Sequence, residues 1–558
     1  MKTRLFLLIW SIFPLLLTAK TIYVATTGTD TNTGSFSSPL KTLKKAVGIA
    51  TDGDVIELRN GSYPSDEIKI RVNNLTIKSY GGEWAKIVAP VNQGTDIAAC
   101  LWYSEPETIG GTLENLEIIG GAFYGVFLDS NWNWGLPKNE RRGVSNILIK
   151  NCKIHDTGRD CIKITPGCNN IQILNCEIYN SGVGPENLPI NGGPNAEGID
   201  NVNGSNMVVR NCHFHDISTN ALYAKGGSKG SIIENNLIRN VGEAGIGIGF
   251  YTDGEWFDEI TNPKYYESIN TIVRNNIIMN TGAAGIVFCG AYRCQAYNNT
   301  VVTASPKYHA PLTFLSGEVG IDDTLTLNPI STEISCFNNI FVDQSGSTDD
   351  DFTVLLREKA LEGSNVIDYN LYYKSNGGAC TFDDNDWPGK NMSQWQTKFS
   401  YDKHSLEINP NLNGNMHLGA GSKAINAGKP TFPGMLDYDG QPRTDTNIDL
   451  GADEFNNGPE LLIPPPATVI GTGGTTKTAL QELTATEFLV YPNPTYDVVF
   501  VKGQEHIEKL ILYDLTGTER KQSNESHVRL NDLPSGVYIL LIQTSTAFTQ
   551  VKLVKAAN

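Results

Sequence analysis

One short pattern of apolar and polar residues recurs through the middle of the chain. It reads IKNCKIHD (149–156), ILNCEIYN (173–180), VRNCHFHD (209–216), IENNLIRN (233–240), VRNNIIMN (273–280), AYNNTVVT (296–303) and CFNNIFVD (336–343). Within each phrase apolar side chains alternate with polar ones, the period of a strand with one buried face. The aligned asparagines are Asn151, Asn175, Asn211, Asn235, Asn275, Asn298 and Asn338, spaced 24, 36, 24, 40, 23 and 40 residues apart. Short Ile- and Val-rich strands with Asn and Gly turns at that interval predict an all-β chain coiled as a parallel β-helix. One coil takes 23–24 residues, and the longer intervals are a coil plus an insertion. The aligned asparagines are expected to stack into a ladder with amides hydrogen-bonded from coil to coil. A leucine-rich repeat does not fit, because its leucine spacing and helical segments are missing.

A second strand recurs nine residues beyond the asparagine, or twenty-two beyond Asn175, where an insertion intervenes. It runs DCIKIT (160–165), EGIDNV (197–202), NALYAK (220–225), AGIGIG (244–249) and AGIVFC (284–289). Ile162, Ile199, Leu222, Ile246 and Ile286 share a column and should point inward. Alternation then turns Lys163, Asp200, Tyr223 and Gly247 outward, with Lys225 two residues past Tyr223. Gly247 and Gly249 are expected to leave a bare floor for a ligand. Two insertions flank this patch, 182–196 and 251–266, and would make a groove suited to a polymer. The second insertion carries Tyr251, Trp256, Phe257, Tyr265 and Tyr266, flat side chains of the kind that stack on sugars. Another outward column, His155, Tyr179, His215 and Arg239, lies on a different strand and is a weaker candidate for binding an anionic sugar.

The ends add targeting. Lys2 and Arg4 precede an apolar run ending at Ala19, which predicts a secretory signal peptide over residues 1–19. No later run is long and apolar enough to cross a membrane. Net charge is −17, and −19 without Lys2 and Arg4, a poor balance for nucleic-acid binding. An anionic substrate would then need local cations or a bound metal. Of the ten cysteines, Cys152, Cys176 and Cys212 all sit in the phrase Asn-Cys, which points to a repeated inward position rather than a disulfide framework.

Two resemblances place the whole chain. The opening IYVATTGTDTNTGSFSSPLKTLKKAVGIATDGDVIELRNGSYP (22–64) is similar to the start of secreted right-handed β-helix proteins of the pectate-lyase superfamily, and DYDGQPRTDTNIDLGADEF (437–455) resembles the phrase that closes them. That likeness implies a right-handed coil and an N-terminal capping helix near Leu40–Ala50. YPNP (491–494), LYDLTG (512–517), LPSGVYIL (533–540) and KLVK (552–555) look like the C-terminal sorting domain of the Bacteroidetes type IX secretion system, expected as a small β-sandwich. The expected boundaries are 1–19 signal peptide, 20–456 β-helix catalytic domain, 457–483 Pro/Gly/Thr-rich linker and 484–558 sorting domain. The implied location is secreted or cell-surface, reached through the type IX machinery.

The chemistry expected of the outer patch is elimination on an acidic polysaccharide. Removing the C5 proton of a uronate needs its carboxylate neutralised and a base close by. Asp160, Glu197 and Asp200 are candidate ligands for Ca²⁺, an oxygen-seeking cation. Lys225 is the candidate base, with Lys163 two coils away as a second cation, and Tyr223 is the candidate donor to the leaving oxygen. Tyr251, Trp256, Arg239 and His215 are candidate substrate-binding residues. YAKGGSKGSIIENN resembles the lysine-bearing strand of the chondroitinase B and alginate lyase family, which implies a catalytic role for Lys225 and a Ca²⁺ site. No arginine stands one coil on from Lys225, where that family has one. A glycoside hydrolase using paired carboxyls from Asp160, Glu197 and Asp200 is the alternative. A non-catalytic surface glycan-binding protein is the third reading.

Overall fold

The computed structural model describes residues 19–91, 97–104, 106–131, 136–137, 140–184, 195–322, 324–345, 352–357, 359–384, 389–429, 436–443, 448–455, 460–461, 488–493, 495–503, 506–514, 519–544 and 548–556. The predicted signal peptide up to Thr18, and most of the predicted linker, lie outside the described residues.

Three long sheets, all paired in parallel, wrap around one core. The first has 12 strands from Thr21–Val24 to Val366–Asp368. The second has 11 from Ile68–Ile70 to Phe382–Asp383. The third has 12 from Gly61–Pro64 to Leu406–Glu407. Alternation explains the core. In the second sheet Ile162, Ile199, Leu222, Ile246, Ile286 and Leu312 pair in register and are fully buried. Ile154, Ile178, Phe214, Ile238 and Ile278 do the same in the third. Each such side chain contributes roughly 1.5–3 kcal/mol of burial, and the columns add these up coil after coil.

The amide ladder stands one residue later than the sequence predicts. Asn151, Asn175, Asn211, Asn235, Asn275, Asn298 and Asn338 all have φ between 52° and 58°, the left-handed conformation that asparagine tolerates best after glycine. They turn the chain between the first and third sheets. The residue that follows each then points inward, and there the ladder forms. Asn236 Nδ2 donates to Asn276 Oδ1 (2.9 Å), Asn276 to Asn299 (2.9 Å), Asn299 to Asn339 (2.9 Å) and Asn339 to Asn370 (3.0 Å). Cys152, Cys176 and Cys212 hold the same position in earlier coils, buried and without disulfides, as are all ten cysteines.

Helix Leu43–Ile49 covers the N-terminal end. Thr42 caps it by accepting from Lys45 N, and Leu43, Ala46 and Val47 face the core. At the other end, helix Met392–Phe399 lays buried Trp395 on Phe382, the last inward residue of the second sheet. The phrase at 437–455 therefore does not cap the end, as its resemblance implies. It lies along the flank of the coils, where Tyr438 and Ala452 pack on Leu237 and Ile277. The turn asparagines tether it, with Asn235 Nδ2 donating to Asp437 O (2.8 Å) and Asn275 Nδ2 to Leu436 O (2.6 Å).

The C-terminal unit is a β-sandwich. A three-stranded and a four-stranded antiparallel sheet share a core that includes Val499, Val501, Leu510, Leu512, Val528, Leu540 and Ile542. Among the described residues no helix is long and apolar enough to cross a membrane.

Candidate active site

The outer face of the second sheet collects charge over three coils. Lys163 pairs in register with Asp200, Asp200 with Tyr223 and Tyr223 with Gly247, while Val202 pairs with Lys225. Asp160 and Glu197 precede their strands by two residues, so they stand side by side on adjacent coils. One carboxylate oxygen from each of Asp160, Glu197 and Asp200 lies within 4.8 Å of those of the other two. All three side chains are buried.

Their hydrogen bonds use only part of their acceptor capacity. Asp160 Oδ1 accepts from Glu197 N (3.0 Å), and Glu197 Oε1 accepts from Thr219 Oγ1 (3.0 Å) and Asn220 Nδ2 (3.3 Å). Asp200 Oδ2 is ion-paired with Lys163 Nζ. The remaining oxygens, Asp160 Oδ2, Glu197 Oε2 and Asp200 Oδ1, are buried without a partner. Three clustered buried carboxylates, each with an oxygen left unpartnered, fit a hard divalent cation, because a buried anion needs compensation.

The electrostatics separate the three acids. Burial, then the neighbouring Glu197 and Asp200 charges, push Asp160 well above the usual carboxylate range. Burial and Asp200 also raise Glu197. Burial works against Asp200 as well, but Lys163 and Lys225 overcome it and hold Asp200 low. Lys163 is correspondingly raised, since Asp200 and Tyr124 outweigh its burial. Lys163 is thus locked as a cation against Asp200.

Lys225 has different company. Its Nζ stands 4.4 Å from the centre of the Tyr223 ring and 5.6 Å from that of Phe250, and donates to Tyr251 O at 3.3 Å. Tyr223 is not the exposed donor the sequence predicts. It is 2% exposed, stacked on Phe250 at 5.6 Å, and burial together with Asp200 and Glu197 keeps its hydroxyl protonated among the carboxylates. Nor are Gly247 and Gly249 a bare floor. A Cβ on Gly247 would meet Tyr223 Cβ at 2.8 Å. Gly249, at φ 87°, would press a Cβ to 1.9 Å from Cys289 O. Those glycines admit the close-packed turn that leads into Phe250 and Tyr251.

Behind Lys225, Glu267 clasps the turn. Its Oε2 accepts from Gly226 N and Thr252 Oγ1, both at 2.8 Å, while Oε1 is unpartnered. Burial raises this carboxyl to about 8 against those two bonds.

The four predicted substrate-binding residues divide between two faces. Tyr251 is 44% exposed next to Lys225, and Trp256 lies half-buried in a single 3-10 turn, Gly254–Trp256. Phe257 and Tyr266 are buried inside their loop. His215 and Arg239 lie on the third sheet, apart from Lys225. There Tyr179 stacks between His155 (4.4 Å) and His215 (4.7 Å), and Arg239 Nε donates to His213 Nε2 (3.0 Å). Of the insertion at 182–196, residues 185–194 lie outside the described residues. An open groove of about 600 Å³ runs along the turns that join the third sheet to the second, past Asn180, Asp216, Asn240 and Asn280. Those turns lead directly into the carboxylate coils.

Several residues here escaped the sequence reading. Trp102 and Phe127 continue the Lys163 column into the preceding coils, with rings 5.2 Å apart, and Tyr124 lies 5.0 Å from Phe127. The alternation of ACLWY and YGVFL carries the signal for the aromatic column, but neither segment contains the asparagine phrase used to set the register.

A family model described as "Right handed beta helix region" matches residues 112–322, one described as "Secretion system C-terminal sorting domain" matches 489–556, and one described as "Protein of unknown function (DUF1565)" matches 26–71. No curated protein matches the chain. Among solved structures, pectate lyase Pel9A is similar at 16% identity over 79% of this chain and 97% of that one, with a TM-score of 0.44. XylC in complex with xylose is similar at 12% identity over 78% and 98%, TM-score 0.46. An alginate lyase from Paenibacillus sp. str. FPU-7 is similar at 14% identity over 69% and 99%, TM-score 0.32. The sorting domain directs the chain by type IX secretion to the cell surface or the extracellular space. The chain is a right-handed parallel β-helix protein that carries a type IX secretion C-terminal sorting domain.

Proposed function

We propose that this secreted protein cleaves an acidic, uronate-containing polysaccharide by β-elimination on the outer face of the second sheet. The observation that carries the reading is the contrast between its two lysines. An elimination base must lose its proton, which a carboxylate partner opposes. Lys163 has such a partner in direct contact, Asp200, whereas Lys225 makes no salt bridge among the described residues, feels Asp200 and Glu197 only through space, and rests on aromatic rings and a carbonyl beside the exposed Tyr251. Lys225 then takes the C5 proton, the C4–O bond breaks as the double bond forms between C4 and C5, and the departing oxygen takes a proton from water or from the Lys225 ammonium to become the hydroxyl of the new reducing end. Tyr223 fixes the Lys225 stem from below and keeps its own proton toward Asp200.

Asp160, Glu197 and Asp200 are the residues that would hold Ca²⁺, each of them a buried carboxylate with an oxygen left without a partner. Bound there, the cation would neutralise a substrate carboxylate. The aromatic column of Trp102, Phe127 and Tyr124 offers faces for sugar rings along the same sheet.

A second reading is hydrolysis. The raised Asp160 and Glu197 against the lowered Asp200 form the split between acid and base that a glycosidase requires. One assay separates the readings. Incubation with alginate, pectate, and chondroitin and dermatan sulfates, with and without EDTA, should give the ultraviolet absorbance of an unsaturated uronide. New reducing ends without that absorbance would favour hydrolysis. Neither signal, with retention on the polymer, would favour a binding protein.

A further inference from the structure

The flanking segment that resembles a closing phrase carries a second cluster of ligand-type side chains, remote from the second-sheet site. His417, Asp439 and Asp453 come from three separate turns, and one ligand atom of each lies within 4.8 Å of the others. All three are buried, with His417 fully so. His417 Nε2 stands 2.8 Å from Asp439 Oδ2, yet neither ring nitrogen has a hydrogen-bond partner. The approach is close without being an aligned N–H···O bond.

The charge around it is unbalanced. Arg443 pairs with Glu454 at 2.7 Å. Asp437 and Asp449 are satisfied by backbone N–H groups of Gln441, Glu454, Asn426 and Phe455. Asp453 Oδ2 accepts from Leu418 N (2.8 Å) and Asp439 Oδ1 from Leu461 N (3.1 Å), but among the described residues neither is ion-paired with a lysine or arginine. Two buried carboxylates that converge on one imidazole, with no lysine or arginine paired to either among the described residues, are a ligand set whose charge a divalent ion would neutralise.

We propose that His417, Asp439 and Asp453 bind a divalent ion of the zinc type. One imidazole nitrogen with two carboxylate oxygens is a zinc-type donor set, whereas calcium takes about six to eight oxygens. The ion joins the turn at His417 to the segment 437–454, which Asn235, Asn275 and the Thr300 hydroxyl (donated to by Ala452 N at 2.9 Å) already tie to the coils. Binding energy there becomes stability of the coil stack. This site owes nothing to the reading of the second sheet.

The test uses the full-length chain, stripped with a chelator, dialysed, and titrated with Zn²⁺ or, as a spectroscopic probe, Co²⁺. One equivalent of Zn²⁺ should bind and raise Tm by several degrees, and Co²⁺ should give a visible d–d band. X-ray absorption of the zinc-loaded protein should report one imidazole in an otherwise oxygen shell. His417→Asn and Asp453→Asn should each lose the band and the Tm shift, while His213→Asn keeps both. If the variants fail to fold, the wild-type absorption spectrum decides by itself. An oxygen-only shell overturns the proposal, as does a two-imidazole shell, which would move the ion to His213 and His215. No binding and an unchanged Tm also overturn it, leaving a bare His417–Asp439 ion pair.

Discussion

The Lys225 ammonium lies 4.4 Å from the centre of the Tyr223 ring, and among the described residues it pairs with no carboxylate. A ring below and a carbonyl beside it hold the amine in place. Lys225→Arg preserves the charge and the contact with the ring but does not give up its proton. It should therefore lose about 10²–10⁴-fold in kcat, the usual worth of a general base. Stability should move by less than about 1 kcal/mol, the scale of an exposed cation–π contact. Initial rates of uronide absorbance and a denaturant melt measure the two effects. A Lys225→Arg enzyme at full rate would remove Lys225 from the chemistry.

Asn275 and Asn276 are neighbours with different work. Asn275 turns the chain at φ 52°, and Asn276 sits in the buried ladder, accepting from Asn236 Nδ2 and donating to Asn299 Oδ1, both at 2.9 Å. Asn276→Ala orphans buried groups on both sides, at about 1–3 kcal/mol each. Asn276→Cys should cost less, because cysteine occupies this position at 152, 176 and 212, where Cys176 N even donates to Cys212 Sγ at 3.5 Å. Urea midpoints for the two variants would show the order. Equal losses would mean the ladder's acceptors contribute little.

Much of this was legible from the repeat. Counting nine residues from each asparagine, and twenty-two from Asn175 to pass its insertion, places Ile162, Ile199, Leu222, Ile246 and Ile286 in the column that the register shows. It also brings Asp160, Glu197 and Asp200 together. The ladder was misplaced by one because Asn-Asn pairs look alike in sequence. Only the sharp bend, which demands a left-handed residue, tells the first asparagine from the second. Tyr223 escaped for another reason. Alternation turns it outward, but the insertion after Gly249 folds Phe250 back over it, and periodicity carries no information about where an insertion lands. The partnership of His417 with Asp439 and Asp453 joins turns with no repeat between them.

Glu267 gives a pH signature. Its folded-state pKa, about 8, lies above the ordinary 4.5, so the native chain holds this proton more tightly than the unfolded one. That stabilising contribution is complete below about pH 4.5 and is lost as pH rises through about 8. Every tenfold difference in proton affinity between the two states corresponds to about 1.4 kcal/mol. Glu267→Gln keeps an oxygen for Gly226 N and Thr252 Oγ1 and cannot ionise. Its Tm advantage over the parent should therefore grow as pH rises across this window. A constant difference would mean that the carboxyl is already ionised at its site.

Asp160 and Glu197 yield the sharpest opposition between stability and function. Both are raised, first by burial and then by neighbouring carboxylates, so in the metal-free chain their ionisation works against folding as pH rises above the ordinary carboxylate range. Asp160→Asn removes one of the converging charges and keeps an oxygen for Glu197 N. In EDTA at neutral pH it should melt higher than the parent, gaining about 1.4 kcal/mol for every tenfold by which burial had strengthened proton binding at Asp160. In Ca²⁺ the order should reverse, because binding stabilises the parent by RT ln(1 + [L]/Kd) and the variant holds the ion less well. Activity should fall with the lost ion. A calcium-dependent crossover in Tm is the outcome a merely structural carboxylate would not produce, and its absence would remove Asp160 from the ligand set.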